Sequence, residues 1–383
     1  MSKIDDLIKE LCPDGARFAR VGDKAVIGTG RSDKKDAVEN GQYPFYVRSK
    51  IVARIDKYSF DEEAIIIPGE GGVGDIFHYA NGKYDLHQRA YRIVFITNEV
   101  NTKYALYYFM SHFKSFITLK AVNATVTSIR KPMIEDFRIP IPPLEVQKEI
   151  VRVLDSFTKL EAELEAELEA RKKQYEYYRN TLLTFEDDVM WKPMGEICIF
   201  SKDRIASDEL TADNYVGVDN LLKDKKGRTI SSYVPESGIW TKFVSGDILI
   251  GNIRPYLRKI WLADIEGGTN GDVLVFHISK EYTERITPKF LFHCLSSERF
   301  FMFMDSTSKG AKMPRGDKKA ILNFMIPIPS LSVQKQIVSI LDKFEKLTND
   351  ISVGLPAEIE ARRKQYEYYR NKLLTFKELE CSK

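Results

Sequence analysis

Lys173-Gln174-Tyr175-Glu176-Tyr177-Tyr178-Arg179-Asn180 returns unchanged as Lys364-Gln365-Tyr366-Glu367-Tyr368-Tyr369-Arg370-Asn371. The match runs from Glu169 through Phe185 against Glu360 through Phe376, broken only at Lys172/Arg363 and Thr181/Lys372. Repetition of that length within one chain points to duplication, which has to be settled before the intervening segments are assigned. Upstream of each copy lies a second repeated signal. Ile139-Pro140-Ile141-Pro142 is answered by Ile326-Pro327-Ile328-Pro329, Gln147-Lys148 by Gln334-Lys335, Leu154-Asp155 by Leu341-Asp342, and Phe157 by Phe344. The offset is 187 residues from Gln147 to Gln334 but 191 from Lys173 to Lys364. The second helical stretch therefore holds four extra residues, and Gly354-Leu355-Pro356 lies where they enter. A break is expected there, because a proline inside a helix costs about 3 kcal/mol unless it opens a new one.

The prolines exclude helix and leave an extended arm, and a long helix begins at Leu144. Ile150, Val153/Leu154, Phe157, Leu160 and Leu164 form one apolar stripe. Leu168, Tyr175, Tyr178, Leu182 and Phe185 form a second, displaced by four residues in the manner of a coiled-coil stutter. Tyr175 and Tyr178 fall on the inward stripe, whereas Lys173, Tyr177 and Arg179, with Lys364, Tyr368 and Arg370 in the second copy, are expected to face outward as a docking surface presented twice. The chain thus divides into a globular domain over 1–143, a helix over 144–186, a second globular domain over 187–330 and a second helical stretch over 331–383. The fold class is α+β, with two domains of mixed strands and helices alternating with two long helices.

Within the first domain, Tyr43 to Arg48, Ala64 to Ile67 and Arg89 to Ile96 have strand patterns. Lys103 to Thr118 carries Leu106, Phe109, Met110, Phe113 and Ile117 at helical spacing. In the second, Trp191 to Glu196 stands where Phe18 to Asp23 stands in the first, and Gly246 to Gly251 takes the place of the Ile65 strand. The domains resemble each other weakly except at their boundaries.

With 383 residues, 43% hydrophobic and 30% charged, the chain has the composition of a folded protein of two or three domains. A net charge of +3 permits nucleic-acid binding without arguing for it, since clustering matters more than the total. Cys12, Cys198, Cys294 and Cys381 are scattered without zinc spacing and are read as reduced thiols. The N-terminus lacks an apolar signal core and no window approaches the roughly 20 apolar residues of a membrane span, so a cytoplasmic protein without membrane contact is expected.

Catalytic motifs fail on context. Gly69-Glu70-Gly71-Gly72-Val73-Gly74 fits GxGxxG after a strand, but Asp75 to Tyr79 has strand rather than helix character, and a phosphate loop works through a helix N-terminus. Pro13-Asp14 with Asp33-Lys34-Lys35 resembles a nuclease metal site, but Asp33 lies in a polar loop rather than on an apolar strand. His78, His87, His112, His277 and His293 make no paired ligand set, and no nucleophile motif stands out. The chain is expected to have no catalytic residues and to bind no metal.

Basic residues do cluster in loops, often beside amides suited to base edges or phosphates. In the first domain these are Arg31, Lys34, Lys35, Arg48, Lys50, Arg54, Lys57, Gln88, Arg89, Asn123, Arg130 and Lys131. The second offers Lys202, Arg204, Lys225, Lys226, Arg228, Asn252, Arg254, Arg258, Asn270, Lys309, Lys312 and Arg315. Solvated surface explains any single cluster equally well; a duplicated plan makes DNA contact by each domain the stronger reading. Two segments, around Ser128 to Pro132 and Lys312 to Asp317, precede the last short element of their domains, where Ser128 is expected to cap a helix that clamps phosphate.

The repeated Ile-Pro-Ile-Pro arm with its Val-Gln-Lys and Leu-Asp signals, the Lys-Gln-Tyr-Glu-Tyr-Tyr-Arg-Asn helices and the two dissimilar domains resemble the specificity subunit of Type I restriction-modification systems over essentially the whole chain. That resemblance implies two target-recognition domains, each reading one half of a bipartite sequence in double-stranded DNA. It implies long helices that pair as an antiparallel coiled coil, act as a spacer and recruit two methyltransferase subunits, with restriction subunits joining the full complex. S-adenosylmethionine, ATP and magnesium would then be bound by those partners and no cofactor by this chain. A stand-alone methyltransferase or nuclease, whose Asn-Pro-Pro-Tyr-like motif is absent, and a coiled-coil scaffold without a DNA role are the rival readings.

Overall fold

The computed structural model describes residues 3–120, 128–186, 189–349 and 353–379. Its helices are α1 (Lys3–Leu11), α2 (Thr102–Lys120), α3 (Lys131–Glu135), α4 (Leu144–Leu182), α5 (Met194–Ile197), α6 (Pro288–Leu295), α7 (Glu298–Ser306), α8 (Lys318–Ile321), α9 (Leu331–Asn349) and α10 (Leu355–Leu373). The second helical stretch is therefore two helices. Pro356 sits in the first turn of α10, where its missing N–H costs nothing, and the amide of Ala357 bonds the carbonyl of Gly354 at 3.0 Å. None of the described helices is long and apolar enough to cross a membrane.

The chain forms two compact units, but they do not follow its order. One comprises residues 1–163 and 360–383, the other 164–359, so each contains a globular domain and portions of both helical stretches.

The strands of the first unit are β1 (Arg17–Arg20), β2 (Ala25–Thr29), β3 (Tyr43–Tyr46), β4 (Ala53–Ile55), β5 (Phe60–Pro68), β6 (His78–Leu86), β7 (Ala90–Phe95) and β8 (Arg138–Ile141). Six of them form a sheet in the order β2-β7-β5-β6-β3-β4, while β1 pairs antiparallel with the proline arm β8. β5 is buried continuously from Ala64 to Pro68 because both sheet faces are covered. Ile65 and Ile67 pack with Tyr104, Phe109 and Phe113 of α2, whereas Ala64 and Ile66 pack with Tyr84 and Leu86. Met110, expected on the packed stripe of α2, is 41% exposed. The start of α4 buries Val146, Ile150 and Leu154 in the same core, and α10 adds Leu373 and Leu374. After α10 the chain reaches Ala16, whose N–H donates to the carbonyl of Lys377 at 2.9 Å beside β1.

In the second unit the strands are β9 (Met190–Pro193), β10 (Cys198–Phe200), β11 (Arg204–Ala206), β12 (Ile239–Phe243), β13 (Ile248–Gly251), β14 (Ile260–Leu262), β15 (Gly267–Thr269), β16 (Val273–Ile278) and β17 (Met325–Ile328). The sheet order β10-β16-β13-β14 repeats β2-β7-β5-β6, and β9 pairs with the arm β17 as β1 does with β8. What differs is added to that frame. The first unit extends its sheet by β3 and β4, whereas the second carries a separate sheet, β11-β12-β15.

The helices pack antiparallel within each unit. In the first, Phe157 of α4 lies against Tyr366 and Tyr369 of α10 at ring distances of 6.3 and 5.4 Å, and Arg363 donates to Glu161 at 2.5 Å. In the second, Phe344 of α9 lies against Tyr175 and Tyr178 of α4 at 6.1 and 5.3 Å. Each repeated tyrosine block therefore closes on the phenylalanine of the opposite helical stretch, which is why Tyr175, Tyr178, Tyr366 and Tyr369 recur together.

Candidate nucleic-acid interface

The loops that carry the basic residues are mounted on a repeated joint. Gln147, fully buried, accepts from the N–H of Asn101 at 2.8 Å and donates to the carbonyls of Glu99 and Pro142, both at 2.7 Å. Gln334 accepts from Thr287 N–H at 2.9 Å and donates to Arg285 and Pro329 carbonyls at 2.7 and 2.9 Å. About two turns later, Asp155 takes Lys103 at 2.9 Å and the Tyr107 hydroxyl at 2.6 Å. Asp342 takes Lys289 and, at 3.1 Å, Nε2 of His293. Burial alone would raise the Asp342 carboxyl, but the hydrogen bonds from His293 and Lys289 hold it below its ordinary range. The repeated Gln and Asp are thus explained by the joint between helix and domain.

His293, Asp342 and Glu345 bring ligand-type atoms within 4.8 Å of one another, a grouping invisible in the sequence because His293 lies on another element. The Lys289 ammonium already balances the Asp342 carboxylate there.

On the first unit, four loops converge. Ser32 pairs with His87, and Gln88 donates its backbone N–H to Ser32 at 3.0 Å and its side-chain amide to Asp33 at 3.1 Å. Glu70 binds both Arg48 and Arg89, the latter at 2.6 Å. Its carboxyl is lowered chiefly by the hydrogen bond from Arg89. Glu70 also bridges to Ser128, two residues before Arg130, which is exposed. Lys34, Arg48, Glu70 and His87 line one cavity of about 170 Å³. Arg31, Lys35 and Lys50 are exposed on the same loops. Arg54 is used internally, donating to the carbonyls of Gly41 and Gln42 at 2.9 Å, and Lys57 is exposed in the turn before β5. Asn123 lies outside the described residues.

Two motif readings resolve here. The glycine loop after β5 leads into turns and then β6 rather than a helix, and Gly71, Gly72 and Gly74 take positive φ values of 67°, 75° and 79°. Asp33 caps a single 3-10 turn over Lys34–Asp36, reciprocated by Asp36, so its carboxylate is taken up by the Lys35 N–H and the Gln88 amide. Two expectations are corrected. Ser128 does not cap α3; Arg130 occupies the N-cap position without a side-chain bond, and Lys131 pairs with Glu135 at 3.6 Å. At the equivalent α8, Asp317 caps the helix and holds Lys309, so a carboxylate fills the place proposed for phosphate.

On the second unit the corresponding loops converge again. Ile253 bridges to Arg315, and the N–H of Arg254 donates to the carbonyl of Pro314 at 2.8 Å. Arg315 pairs with Asp272 at 3.0 Å, and Asn270 accepts from the Asp272 N–H at 3.1 Å. Asn252 is buried, Lys312 and Arg254 are exposed, and Arg258 pairs with Glu298 at 2.8 Å. Lys202, Arg204 and Lys226 are exposed, Lys226 beside Arg258, and Arg204 donates to the Thr241 hydroxyl at 2.6 Å. Arg228 lies 4.8 Å over the Trp261 ring and donates to the Asp213 carbonyl.

Lys225 and Arg179 are not surface groups. Lys225 bonds Glu176 at 2.7 Å, and burial lowers its ammonium from the ordinary lysine range. Arg179 is 3% exposed, stacked 4.2 Å over Tyr175 and donating to Glu176 and the Ser296 carbonyl. The outward reading of Arg179 is therefore wrong: one helical position turns it onto the flank of α6 and α7, whose carbonyl it satisfies. Arg370, half-buried, covers Tyr366 at 5.6 Å. Lys173 and Lys364 are exposed, and Tyr177 and Tyr368 are 65% and 64% exposed. Of the described cysteines, Cys12, Cys198 and Cys294 are free and buried.

The model of the Type I restriction modification DNA specificity domain matches residues 13–170 and again 186–361. The chain is 36% identical over 266 residues to the EcoR124I/EcoR124II specificity subunit of Escherichia coli, covering 62% of this chain and 63% of that one. It is 28% identical over 372 residues to a Haemophilus influenzae protein named as the type I restriction enzyme specificity subunit S.HindORF215P, covering 92% and 93%. The fold is similar to the crystal structure of the Type-I restriction-modification S subunit from M. genitalium, with a TM-score of 0.59 at 16% identity, covering 94% of this chain and 97% of that one.

Proposed function

The chain belongs to the Type I restriction-modification DNA specificity family, and from that premise we propose that each unit reads one half of a bipartite DNA target. The observation that carries this reading is the pair of loop clusters, 31–36 with 48, 70 and 87–89 in one unit and 252–258 with 270–272 and 309–316 in the other, at equivalent places on a duplicated frame but built from different side chains. A shared frame with unlike tips suits two readers of unlike sequences. Basic loops supply the phosphate contacts that position a protein on a duplex, and their amides and guanidiniums supply base readout.

In this reading the chain is not itself an enzyme. It confers sequence on two methyltransferase subunits, which dock at the exposed faces marked by Lys173 and Tyr177 and by Lys364 and Tyr368, and on restriction subunits in the full complex. S-adenosylmethionine, ATP and magnesium are bound by those partners, and the complex works in the cytoplasm. α4 continues from the residues of one unit into those of the other, so its length sets the spacer between the half-sites.

Methylome sequencing of cells carrying the chain with its methyltransferase partner tests this. A bipartite motif with a fixed spacer is expected. Inserting four residues between Glu161 and Ala170 adds about 6 Å of helix, near two base pairs, and lengthens that spacer accordingly. Methylation without a bipartite motif overturns the two-reader reading, and an unchanged spacer overturns the role of α4.

A further inference from the structure

The loop between β13 and β14 is built in a way that the rest of the second unit's cluster is not. Arg254 (φ 51°, ψ 65°) and Arg258 (φ 52°, ψ 46°) both adopt the left-handed conformation, flanking a single 3-10 turn over Pro255–Leu257. Side chains other than glycine enter that region rarely, and they persist there only where surrounding contacts over-determine the backbone. Those contacts are present. The Arg254 N–H is held by the Pro314 carbonyl, the Leu257 carbonyl receives the Asp224 N–H at 3.0 Å, and the Arg258 carbonyl receives the Lys225 N–H at 2.9 Å. The Arg258 guanidinium is fixed by Glu298, which belongs to α7, and Pro255 is buried beneath the turn.

Most guanidiniums and ammoniums of the turn and of the neighbouring 309–316 loop are already engaged; Lys312 on that loop is exposed. Arg258, Arg315 and Lys309 are each paired with a carboxylate, on Glu298, Asp272 and Asp317 respectively. Arg254 is exposed, and among the described residues its guanidinium has no hydrogen-bond or ion-pair partner. The first unit is built the opposite way, with Arg48 and Arg89 both closed onto Glu70. An unpaired planar fork, carried on a backbone held by bonds from two other segments and by the Arg258–Glu298 pair, is presented from a fixed point to a ligand that offers two acceptors in one plane. In a DNA duplex that is the O6/N7 edge of guanine in the major groove. Holding the turn beforehand removes part of the ordering cost of binding.

We propose that Arg254 is a specificity-determining residue of the second unit, reading a guanine edge, with Arg258 and Glu298 as positioning residues for its turn. This rests on the reading of the unit as a DNA half-site reader. A phosphate contact by Arg254 would weaken binding to all sequences alike, whereas a base contact relaxes one position.

The test uses the full chain with its methyltransferase partner in cells, comparing methylated motifs for the wild type, Arg254→Ala, Arg254→Gln and Glu298→Gln. Expected is loss of guanine preference at one position of one half-site in the Arg254 variants, by about tenfold to a hundredfold, with the other half-site unchanged. Glu298→Gln relaxes the same position less. If a variant gives no methylation, binding of the purified complex to duplexes substituted one base at a time replaces the cellular readout. Retention of the same base at every position, or uniform weakening across the panel, overturns the proposal while leaving the two-reader function standing. A wild-type complex with no bipartite motif instead removes the premise.

Discussion

In the first unit the amide of Gln147 ties two carbonyls and a backbone N–H across the start of α4, and in the second Gln334 ties the corresponding three groups across the start of α9. The loop clusters on the same two frames share no such chemistry. One is closed on Glu70 by two arginines; the other leaves Arg254 open on a left-handed turn. Residues that hold the domains to the helices are under one geometric requirement, repeated, and only a side chain with the reach and polarity of glutamine satisfies three buried backbone groups there. Residues at the loop tips answer to whatever each unit meets outside itself.

The largest test of that comparison is to remove the joint from each unit in turn. Gln147→Leu and Gln334→Leu strand one N–H and two carbonyls apiece, and each should destabilise its own unit by about 3 kcal/mol, since buried unpaired polar groups cost about 1–3 kcal/mol each with partial relaxation. Urea unfolding followed separately in the two units checks this. Equal losses support a repeated joint, and a loss confined to one variant breaks the equivalence.

Next in size is a contrast between identical residues. Arg179 and Arg370 stand at the same place in the repeat, yet Arg179 is buried with Glu176 and the Ser296 carbonyl while Arg370 only half-covers Tyr366. Arg179→Ala should cost about 2 kcal/mol, as a buried charge-assisted hydrogen bond and its stacking are lost. Arg370→Ala should cost under about 1 kcal/mol, as for a partly exposed cation–π contact. Thermal unfolding of the two variants decides it, and similar shifts would mean that the repeat, rather than its surroundings, sets the energetics.

That contrast also marks where the sequence was legible. Duplication, the helix start at Leu144, the break before Pro356 and the inward tyrosines followed from period and punctuation, because a helix face and a proline have nearly the same consequences in any context. The direction of Arg179 did not, since it depends on the Ser296 carbonyl, more than a hundred residues away in the chain. The burial of Lys225 is hidden for the same reason: a run of lysines looks solvated until Glu176 and Glu298 are folded against one member of it. The division into units was equally hidden. The four-residue offset located the break, but not that α10 completes the core of the N-terminal domain. For the loops, charge was readable and geometry was not, and the left-handed turn at Arg254 carries no sequence mark beyond the proline that follows it.

The smallest expected effect concerns acid. Asp342 is held below the ordinary carboxylate range by His293 and Lys289 against the pull of burial. A carboxyl depressed in the folded state stabilises fully above its unfolded value, about 3.9, and that contribution is lost as pH falls through the folded value. The second unit should therefore lose stability progressively below about pH 4 through this group. Asp342→Asn removes the titrating carboxyl: the variant should be less stable than the wild type near neutrality, and the gap should narrow as the pH drops. Urea midpoints between neutral pH and the acid limit of folding measure it. A gap that stays constant with pH would show that the carboxylate at the second joint acts through its hydrogen-bond geometry alone, and that its attraction to the Lys289 ammonium adds nothing to what a neutral amide provides.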